Sequence, residues 1–267
     1  MSEVPAAAKK AFAKVCAQAA STSAGFKLLE SGDRVLLALS GGLDSFVMLE
    51  VICQLARRTP FKFTVECATF DPGFPEMDCR RIAEYCRERQ IIHHRVFMDI
   101  PQYLHDSPQE RFRRPCVWCS RMRRGKLYGL ARELGASKLA LGHHADDLME
   151  SFFISLVRGQ GLTTMGPNVA ADCAGSSSTL RIIRPLAEVP EQLVKTAAGC
   201  FDFPAVGECP YKEELAASGD RMWAKQTLKS IAKRIPDLHS LMLKSMGKAE
   251  LQWLLDKRYL EYINNQP

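Results

Sequence analysis

The chain has 267 residues, of which 46% are hydrophobic and 25% charged, and a formal net charge of +6. This composition excludes a chain disordered throughout, and the modest positive charge permits a polyanionic partner without requiring one. No apolar stretch reaches the length that crosses a bilayer, and the N-terminal residues lack the basic-then-apolar run of a signal peptide. Ten cysteines in a chain of this length do not resemble a small secreted disulfide scaffold. We therefore expect a cytoplasmic protein, without membrane contact, whose cysteines are thiols or metal ligands.

Strand-like and helix-like segments alternate through the first part of the chain. Residues 3–31 form an Ala-rich helical pattern, and the apolar run at 35–39 is typical of a strand buried on both faces of a parallel sheet. Further strands are predicted at 63–70, 91–97 and 139–141, and helices at 46–52, 76–89, 119–134 and 146–158. This alternation predicts an α/β fold with a doubly wound parallel sheet.

The pattern changes after residue 165. A loop of small residues at 170–178 separates two strand-like pieces, and residues 219–262 are helical in pattern. We divide the chain into an N-terminal helical segment (1–30), an α/β core (31–165), a loop and strand connection (166–218) and a C-terminal helical extension (219–267).

A phosphate-binding loop is predicted directly after the first strand. It comprises Ser40, Gly41, Gly42, Leu43, Asp44 and Ser45. Glycines let the backbone approach phosphate oxygens, and the N–H groups at the start of the following helix favour an anion. The serines add hydroxyl donors, and Asp44 can hold Mg²⁺. The ordinary alternative is a structural turn capped by Asp44.

A second polar segment follows the fourth predicted strand and opens a helix. It reads Gly142, His143, His144, Ala145, Asp146 and Asp147. Ligands of open α/β sheets bind beyond the carboxyl ends of the strands, so this segment should share a cleft with the phosphate loop. Its two aspartates can bind Mg²⁺ or position a substrate, with Gly142 and His143 beside the nucleotide. The alternative is a helix cap by Asp146 or Asp147, with His143 packed against the sheet.

Cys116 and Cys119 form a Cys-x-x-Cys motif ahead of a basic helix, and Cys209 is the candidate third ligand. Two thiolates at this spacing can bind one metal centre, although Cys-x-x-Cys also serves redox chemistry. Structural zinc normally has four protein ligands. A four-iron cluster held by three cysteines leaves one iron open to sulfide or substrate, which suits sulfur transfer.

Two groups of basic residues are candidate RNA contacts, since cations that neutralise phosphates give salt-sensitive binding. The first surrounds the Cys-x-x-Cys motif and comprises Arg111, Arg113, Arg114, Arg121, Arg123, Arg124 and Lys126. The second is spaced four apart on one helix face and comprises Arg221, Lys225, Lys229 and Lys233. A solvated helix face explains the second group equally well.

Together these motifs resemble the tRNA 2-thiocytidine synthetase family, a group of iron–sulfur-dependent enzymes among the PP-loop (N-type) ATP pyrophosphatases. The resemblance runs from about Ser31 to about Pro236. It rests on the loop at 40–45, the Cys-x-x-Cys-Ser-x-x-Arg-Arg-Gly string at 116–125, the segments 134–136 and 142–147, and Arg184-Pro185-Leu186.

The resemblance implies an adenine nucleotide α-hydrolase-like fold and a [4Fe–4S] cluster on Cys116, Cys119 and Cys209. It implies that Mg-ATP adenylates the C2 oxygen of a cytidine at the start of the tRNA anticodon loop. Sulfide, or a persulfide from a cysteine desulfurase, then displaces AMP. A homodimer is a further expectation.

The chain departs from the family at one position, because Lys212 stands where the second cysteine of a C-terminal Cys-x-x-Cys would be. This leaves two other readings open. One is a PP-loop, iron–sulfur enzyme with another acceptor: a different tRNA nucleoside, a free thionucleobase or a small carbonyl compound. The other is a non-catalytic, metal-stabilised RNA-binding protein.

Overall fold

The structure is a computed structural model that describes residues 4–106, 115–171, 179–211, 219–258 and 260–261. Its helices are α1 (Ala6–Gly25), α2 (Leu43–Arg58), α3 (Arg80–Glu88), α4 (Ile100–His105), α5 (Pro115–Glu133), α6 (Ala145–Val157), α7 (Glu191–Ala198), α8 (Asp220–Arg234) and α9 (Leu238–Met246), followed by a 3-10 turn at Leu251–Trp253. Its strands are β1 (Arg34–Ala38), β2 (Thr64–Asp71), β3 (His93–Phe97), β4 (Lys138–Ala140), β5 (Asn168–Ala170) and β6 (Arg181–Ile183).

The strands form one sheet in the order β3-β2-β1-β4-β6-β5. All neighbours are parallel except β5, which runs antiparallel to β6 at the edge. The chain builds outward from β1 through β2 to β3, then returns to place β4 on the other side of β1. The order therefore reverses between β1 and β4, which is where an open α/β sheet forms its binding crevice.

Helices cover both faces of the sheet, as predicted. Leu37 of β1 belongs to a core cluster with residues of α1, α2 and α7, such as Val15, Ile52 and Val194. The neighbouring Leu36 points to the opposite face, where it packs with Leu127 and other residues of α5. Successive strand residues face opposite sides, so a strand buried on both faces reads as an unbroken apolar run. The predicted doubly wound α/β fold is confirmed.

The C-terminal helical extension is also confirmed. Helix α8 buries Ala224 and Leu228, and Trp223 lies against Phe153 of α6 with ring centroids 5.3 Å apart. None of the helices in the described ranges combines the length and the apolar character that a membrane crossing needs. The strands β5 and β6 of the 166–218 segment pair with the core sheet; the division of the chain into four segments stays a prediction.

Several helix boundaries differ from the prediction, and two of them bear on the packing and the site. Helix α1 ends at Gly25 rather than near residue 31, because the next residues turn inward and bury Leu28 and Leu29. Helix α5 begins at Pro115, so the Cys-x-x-Cys motif lies inside its first turns rather than ahead of it. Proline is favoured at the first helical position because its missing N–H would have no helical partner there.

Candidate active site

The phosphate loop joins the buried end of β1 to the start of α2. Ser45 Oγ donates to the Gly42 carbonyl (2.7 Å), and the Gly42 N–H donates to Ser40 Oγ (3.3 Å). Gly41 has φ +83°, a conformation that favours glycine. Gly42 is the N-cap of α2, and no side chain caps this helix start. The loop is thus shaped by its own serines, while the helix start remains available to an anion.

The segment 142–147 lies directly against the phosphate loop. A Cβ on Gly142 would lie 3.1 Å from Ser45 Cα and 3.2 Å from the carbonyl carbon of Asp44, so glycine allows this close backbone approach without a shift of the loop. His144 caps α6, and its Nε2 lies 4.0 Å from Asp44 Oδ2. The two segments that follow β1 and β4 therefore share one cleft at the reversal of strand order.

Asp147 completes the cap of α6. Its Oδ2 accepts the His144 backbone N–H (3.1 Å), and its own N–H donates to His144 Nδ1 (3.4 Å). Its other oxygen lies 3.6 Å from the Arg221 guanidinium of α8. The helix cap considered from the sequence is thus present, and the charge of Asp147 is balanced by the C-terminal extension.

The Asp146 carboxylate lies 4.0 Å from His144 Nδ1 and joins three elements. Its Oδ2 accepts the backbone N–H of Glu191 at the start of α7 (2.7 Å) and lies 3.4 Å from His239 Nε2 of α9. Burial acts to raise its pKa, but these two contacts outweigh burial and lower the pKa to about 2. Asp146 is therefore ionised and engaged in holding α6, α7 and α9 together.

Asp44 is in a different environment. Burial raises the pKa of its carboxyl group; His144 opposes this shift, and the nearby charges of Asp147 and Glu191 add to it. Clustered carboxylates that disfavour each other's charge are a setting in which a bound cation is stabilising.

His143 is held neutral behind the cleft. Its Nδ1 accepts a hydrogen bond from Arg184 Nε (3.3 Å), so the ring proton resides on Nε2. Burial lowers its pKa to about 4, and the charge of Arg184 contributes to this shift. Arg184 is itself buried and also donates to the Gly166 carbonyl (2.5 Å). Arg184 thereby links the 142–147 segment to β6 and to the chain entering β5.

A short segment, residues 204–209, which we call the strap, crosses beside the phosphate loop. A Cβ on Gly41 would lie 3.1 Å from Val206 Cβ, so the strap packs on the loop backbone. The Val206 carbonyl accepts the Asp78 N–H (2.7 Å), which fixes the strap to the chain before α3. Gly207 has φ +89°, and a Cβ there would lie 1.9 Å from the Glu76 carbonyl oxygen. No other residue fits this turn, which leads directly to Cys209.

The strap brings Cys209 to the Cys-x-x-Cys motif. Cys119 and Cys209 both pack against the apolar cluster that contains Phe74. Burial raises the pKa of the Cys119 thiol; Arg123 opposes the shift, and the neighbouring Cys209 and Cys116 add to it. The three cysteines are thus electrostatic neighbours near the start of α5, and the raised pKa keeps Cys119 a thiol until a metal centre displaces its proton.

The spacing of the potential metal ligands differs from that of a preformed single-ion site. Among the residues that the structure describes, no three His, Cys, Asp or Glu side chains form the tight group that one metal ion needs. Each cysteine of a four-iron cluster binds a different iron, so cluster ligands lie further apart than those of one ion. Every cysteine in the described ranges is a free thiol.

The two basic groups have different surroundings. On α5, Arg121, Arg123, Arg124 and Lys126 are exposed, and the Arg121 guanidinium lies 4.9 Å from the Trp118 ring centroid. Arg111, Arg113, Arg114 and Lys212 lie outside the described residues. On α8, Lys225 is paired with Glu191 (3.0 Å) and Arg221 with Asp147, while Lys229 and Lys233 are exposed.

Comparisons with known proteins place the chain in a family. Residues 9–200 match the family described as the PP-loop domain. A tRNA-cytidine(32) 2-sulfurtransferase of Geobacter sulfurreducens is 35% identical over 238 residues, which is 87% of this chain and 88% of the relative. The chain belongs to this PP-loop family. A relative of the same name from Syntrophotalea carbinolica is 33% identical over 233 residues, 86% of this chain and 87% of the relative.

The PP-loop relatives confirm the resemblance inferred from the motifs. Among solved structures, the U34-tRNA thiolase NcsA from Methanococcus maripaludis, solved with its [4Fe–4S] cluster, is similar with a TM-score of 0.71 and 19% identity, over 90% of this chain and 78% of that chain. At this identity the likeness establishes a shared fold.

Glu191, His239 and Arg221 are part of the cleft, and sequence reasoning did not place them there. Glu191 and His239 contact Asp146, and Arg221 contacts Asp147, each from a helix distant in sequence. The sequence carried a signal for Arg221 alone, the four-residue spacing of the basic residues on α8, which fits a solvated face equally well.

Proposed function

We propose that the chain is an ATP-dependent tRNA sulfurtransferase that replaces the C2 oxygen of a cytidine at the start of the anticodon loop with sulfur. Family membership supports the reaction. One structural observation supports its location: the strap that carries Cys209 packs through Val206 on Gly41 of the phosphate loop. A base adenylated at the loop therefore lies near the cysteines, as two successive steps on one carbon require.

The phosphate loop binds the pyrophosphate part of ATP at the uncapped start of α2. The residues that do so are Ser40, Gly41, Gly42, Leu43 and Ser45, with Gly142 and His143 beside the nucleotide. Asp44 would hold Mg²⁺, because a cation would offset the burial and the neighbouring carboxylate charges that raise its pKa. Asp147, whose charge acts on Asp44, is the second candidate ligand, and Asp146 positions α6 against α7 and α9.

The reaction has two displacements. The cytidine C2 oxygen attacks the α-phosphorus of ATP, and pyrophosphate leaves. A sulfur nucleophile then attacks C2, and AMP leaves with the former C2 oxygen. The preorganised N–H groups of the loop favour the charge that develops on the departing pyrophosphate.

Cys116, Cys119 and Cys209 hold a [4Fe–4S] cluster beside this site. When bound, such a cluster supplies one iron without a protein ligand, to which sulfide can bind. The chain contributes the apolar packing around Cys119 and Cys209 and the positive charge of Arg123.

The partners follow from the reaction. The exposed arginines of α5 lie next to the cysteines and provide the charge that attracts tRNA. The sulfur donor is sulfide, or the persulfide of a cysteine desulfurase from which a thiol reductant releases the outer sulfur as sulfide. A cytoplasmic location and a homodimer are carried over from the family resemblance.

The test is to incubate anaerobically prepared protein with unmodified tRNA, Mg-ATP and sulfide, then to analyse the digested nucleosides by mass spectrometry. We expect 2-thiocytidine that depends on ATP, with AMP and pyrophosphate formed alongside it. AMP without any thionucleoside would redirect the assignment to another acceptor. Absence of AMP as well, in protein with a verified cluster, would contradict the catalytic proposal.

The cysteine assignment has its own test. The variant Cys209→Ser should lose iron and visible absorption while keeping its helical circular dichroism. The matched control is Cys200→Ser, which alters a partly buried thiol outside the site. Unchanged iron in the first variant would remove Cys209 from the ligand set.

A further inference from the structure

A cavity of about 350 Å³ opens between the C-terminal end of α6 and the start of α8. Val157, Arg158, Asp220 and Trp223 line it. The Trp223 side chain is 46% exposed although its ring also contacts Phe153 of α6. A large aromatic residue that is fixed on one side and open to solvent on the other provides a ready surface for a flat ligand. The phosphate loop and the cysteines do not contribute to this cavity.

The lining combines the features that recognise a nucleobase. The indole of Trp223 offers a stacking face, and Val157 adds apolar contact. At the rim, Arg158 donates to Asp220 (2.7 Å) in an exposed ion pair, which places a hydrogen-bond donor and an acceptor side by side. Bases of single-stranded RNA are bound by stacking on aromatic rings and by hydrogen bonds to their edges. The cavity volume falls in the range of small-ligand pockets.

The charge around the cavity favours RNA over a protein partner. Residues 220–246, which form α8 and α9, contain six lysines and arginines and two aspartates. Lys229, Lys233 and Arg234 are exposed along α8. Arg234, about three turns after Trp223, lies on the same face of α8 and can pair with a phosphate of an RNA whose base occupies the cavity.

The cavity lies at a suitable distance from the reaction site. Helix α6 connects the two, since Asp147 is at its start and Val157 at its end. The ten residues between them span about 15 Å at 1.5 Å per residue. At roughly 3.4 Å per stacked nucleotide, this separation corresponds to about four nucleotides.

We infer that the cavity at Trp223 binds an unpaired nucleobase of the same tRNA loop that contains the reacting cytidine. This inference rests on the proposed function and specifies how that function selects its RNA. Trp223 stacks on the base, Arg158 and Asp220 contact its edge, and α8 neutralises the adjoining phosphates. The cavity therefore selects single-stranded loops over duplex RNA.

The test measures RNA binding by the full-length protein. The probe is a fluorescein-labelled hairpin with the sequence of an anticodon stem-loop that has an unmodified cytidine at the start of the loop. The reference RNA is the same stem closed by a stable tetraloop. We expect Trp223→Ala to weaken binding of the first RNA about 10-fold, because stacking on an aromatic residue contributes that much per base. The salt dependence should be unchanged, since the substitution removes no charge.

Two variants serve as controls. Trp223→Phe keeps an aromatic face and should retain most of the affinity. Trp253→Ala removes a tryptophan that is 79% exposed elsewhere in the C-terminal extension, and should bind as the parent protein does. Equal binding by Trp223→Ala and the parent protein would overturn the inference while leaving the sulfurtransferase proposal intact.

A second measurement does not depend on the alanine variant folding. The chain has three tryptophans, so Trp118→Phe combined with Trp253→Phe leaves Trp223 as the sole indole emitter. The loop RNA should quench its fluorescence, and the tetraloop hairpin should not. Unchanged emission on saturation with the loop RNA overturns the inference. Loss of self-association in Trp223→Ala with unchanged RNA affinity would also overturn the inference. Trp223 would then lie at a contact between two copies of the chain. If the parent protein binds no loop RNA, both this inference and the proposed function fail.

Discussion

The two helices that begin at the reversal of strand order, α2 and α6, start in opposite ways. Helix α2 follows β1 with glycine at its N-cap and no side-chain cap. Helix α6 follows β4 and is closed by the reciprocal bonds of His144 and Asp147. The N–H groups of an uncapped helix start need partners, whereas those of a capped start already have them. The difference supports our proposal that α2 binds the phosphates and that α6 mainly supports the site.

The largest expected effect comes from removing the carboxylate at the open helix start. Asp44→Ala should lower AMP formation about 10³-fold, because a bound Mg²⁺ supplies several kcal/mol of charge stabilisation during phosphoryl transfer. The visible absorption of the cluster should not change. The measurement is AMP release with tRNA and Mg-ATP, with Glu84→Ala on the exposed face of α3 as the control. AMP formation that persists would show that Asp44 holds no metal.

The second-largest effect on activity should come from pushing the start of α2 away from the backbone of residue 142. Gly142→Ala places a Cβ 3.1 Å from Ser45 Cα, so the start of α2 must shift. We expect kcat/KM for ATP to fall about 10-fold, because a shift of a few tenths of an ångström costs less than the roughly 10²-fold of a 1 Å displacement in a reactive site.

The matched control for this substitution is Gly129→Ala. A Cβ at Gly129, inside α5, meets nothing within 4 Å. It should raise the free energy of unfolding by about 0.5–1 kcal/mol and leave activity unchanged. If both variants behaved alike, close backbone contact would not be what Gly142 provides.

His143 should make the free energy of unfolding depend on pH between about pH 6.5 and pH 4. Its pKa in the folded protein is about 4, below its ordinary value. The unfolded chain therefore binds more protons than the folded one between about pH 6.5 and pH 4, and stability falls as the pH falls through this window. His143→Gln should remove a decline on the order of 2–3 kcal/mol, measured by urea unfolding at several pH values. A difference between the two proteins that stays constant with pH would contradict a buried, neutral His143.

Asp146 should have a smaller effect, on stability rather than chemistry. Its folded pKa of about 2 lies below the unfolded value, so its contribution is present above about pH 4 and lost as the pH falls toward 2. Asp146→Asn should lower the free energy of unfolding by about 1–2 kcal/mol at pH 7, after allowance for partial exposure of the side chain. AMP formation should fall far less than in Asp44→Ala. A comparable fall would place Asp146 on the metal.

The sequence predicted those features of the site that depend on residues adjacent in the chain. The run Val35–Leu39, the glycines of the phosphate loop and the polar segment after β4 carry local signals, because strand burial, glycine and helix starts each leave a pattern in adjacent residues. The fold class and the proximity of the two segments follow from those patterns.

The contacts that bind α6 into its surroundings leave no such pattern. Arg221, Glu191 and His239 reach its aspartates from other helices, and nothing in their neighbouring residues specifies the partner. Strand β5, with three residues, is too short to show an alternation, so its antiparallel pairing at the edge was not foreseen. The roles given to the individual site residues stay predictions.

Amide hydrogen exchange with and without Mg-ATP tests the contrast between the two helix starts most directly. Protection should increase in peptides that cover residues 40–46, where phosphate binds N–H groups that no side chain caps. Peptides that cover residues 143–150 should change little, because His144 and Asp147 already cap that helix. Protection confined to residues 143–150, or absent from both at saturating nucleotide, would contradict the assignment of the start of α2 as the phosphate site.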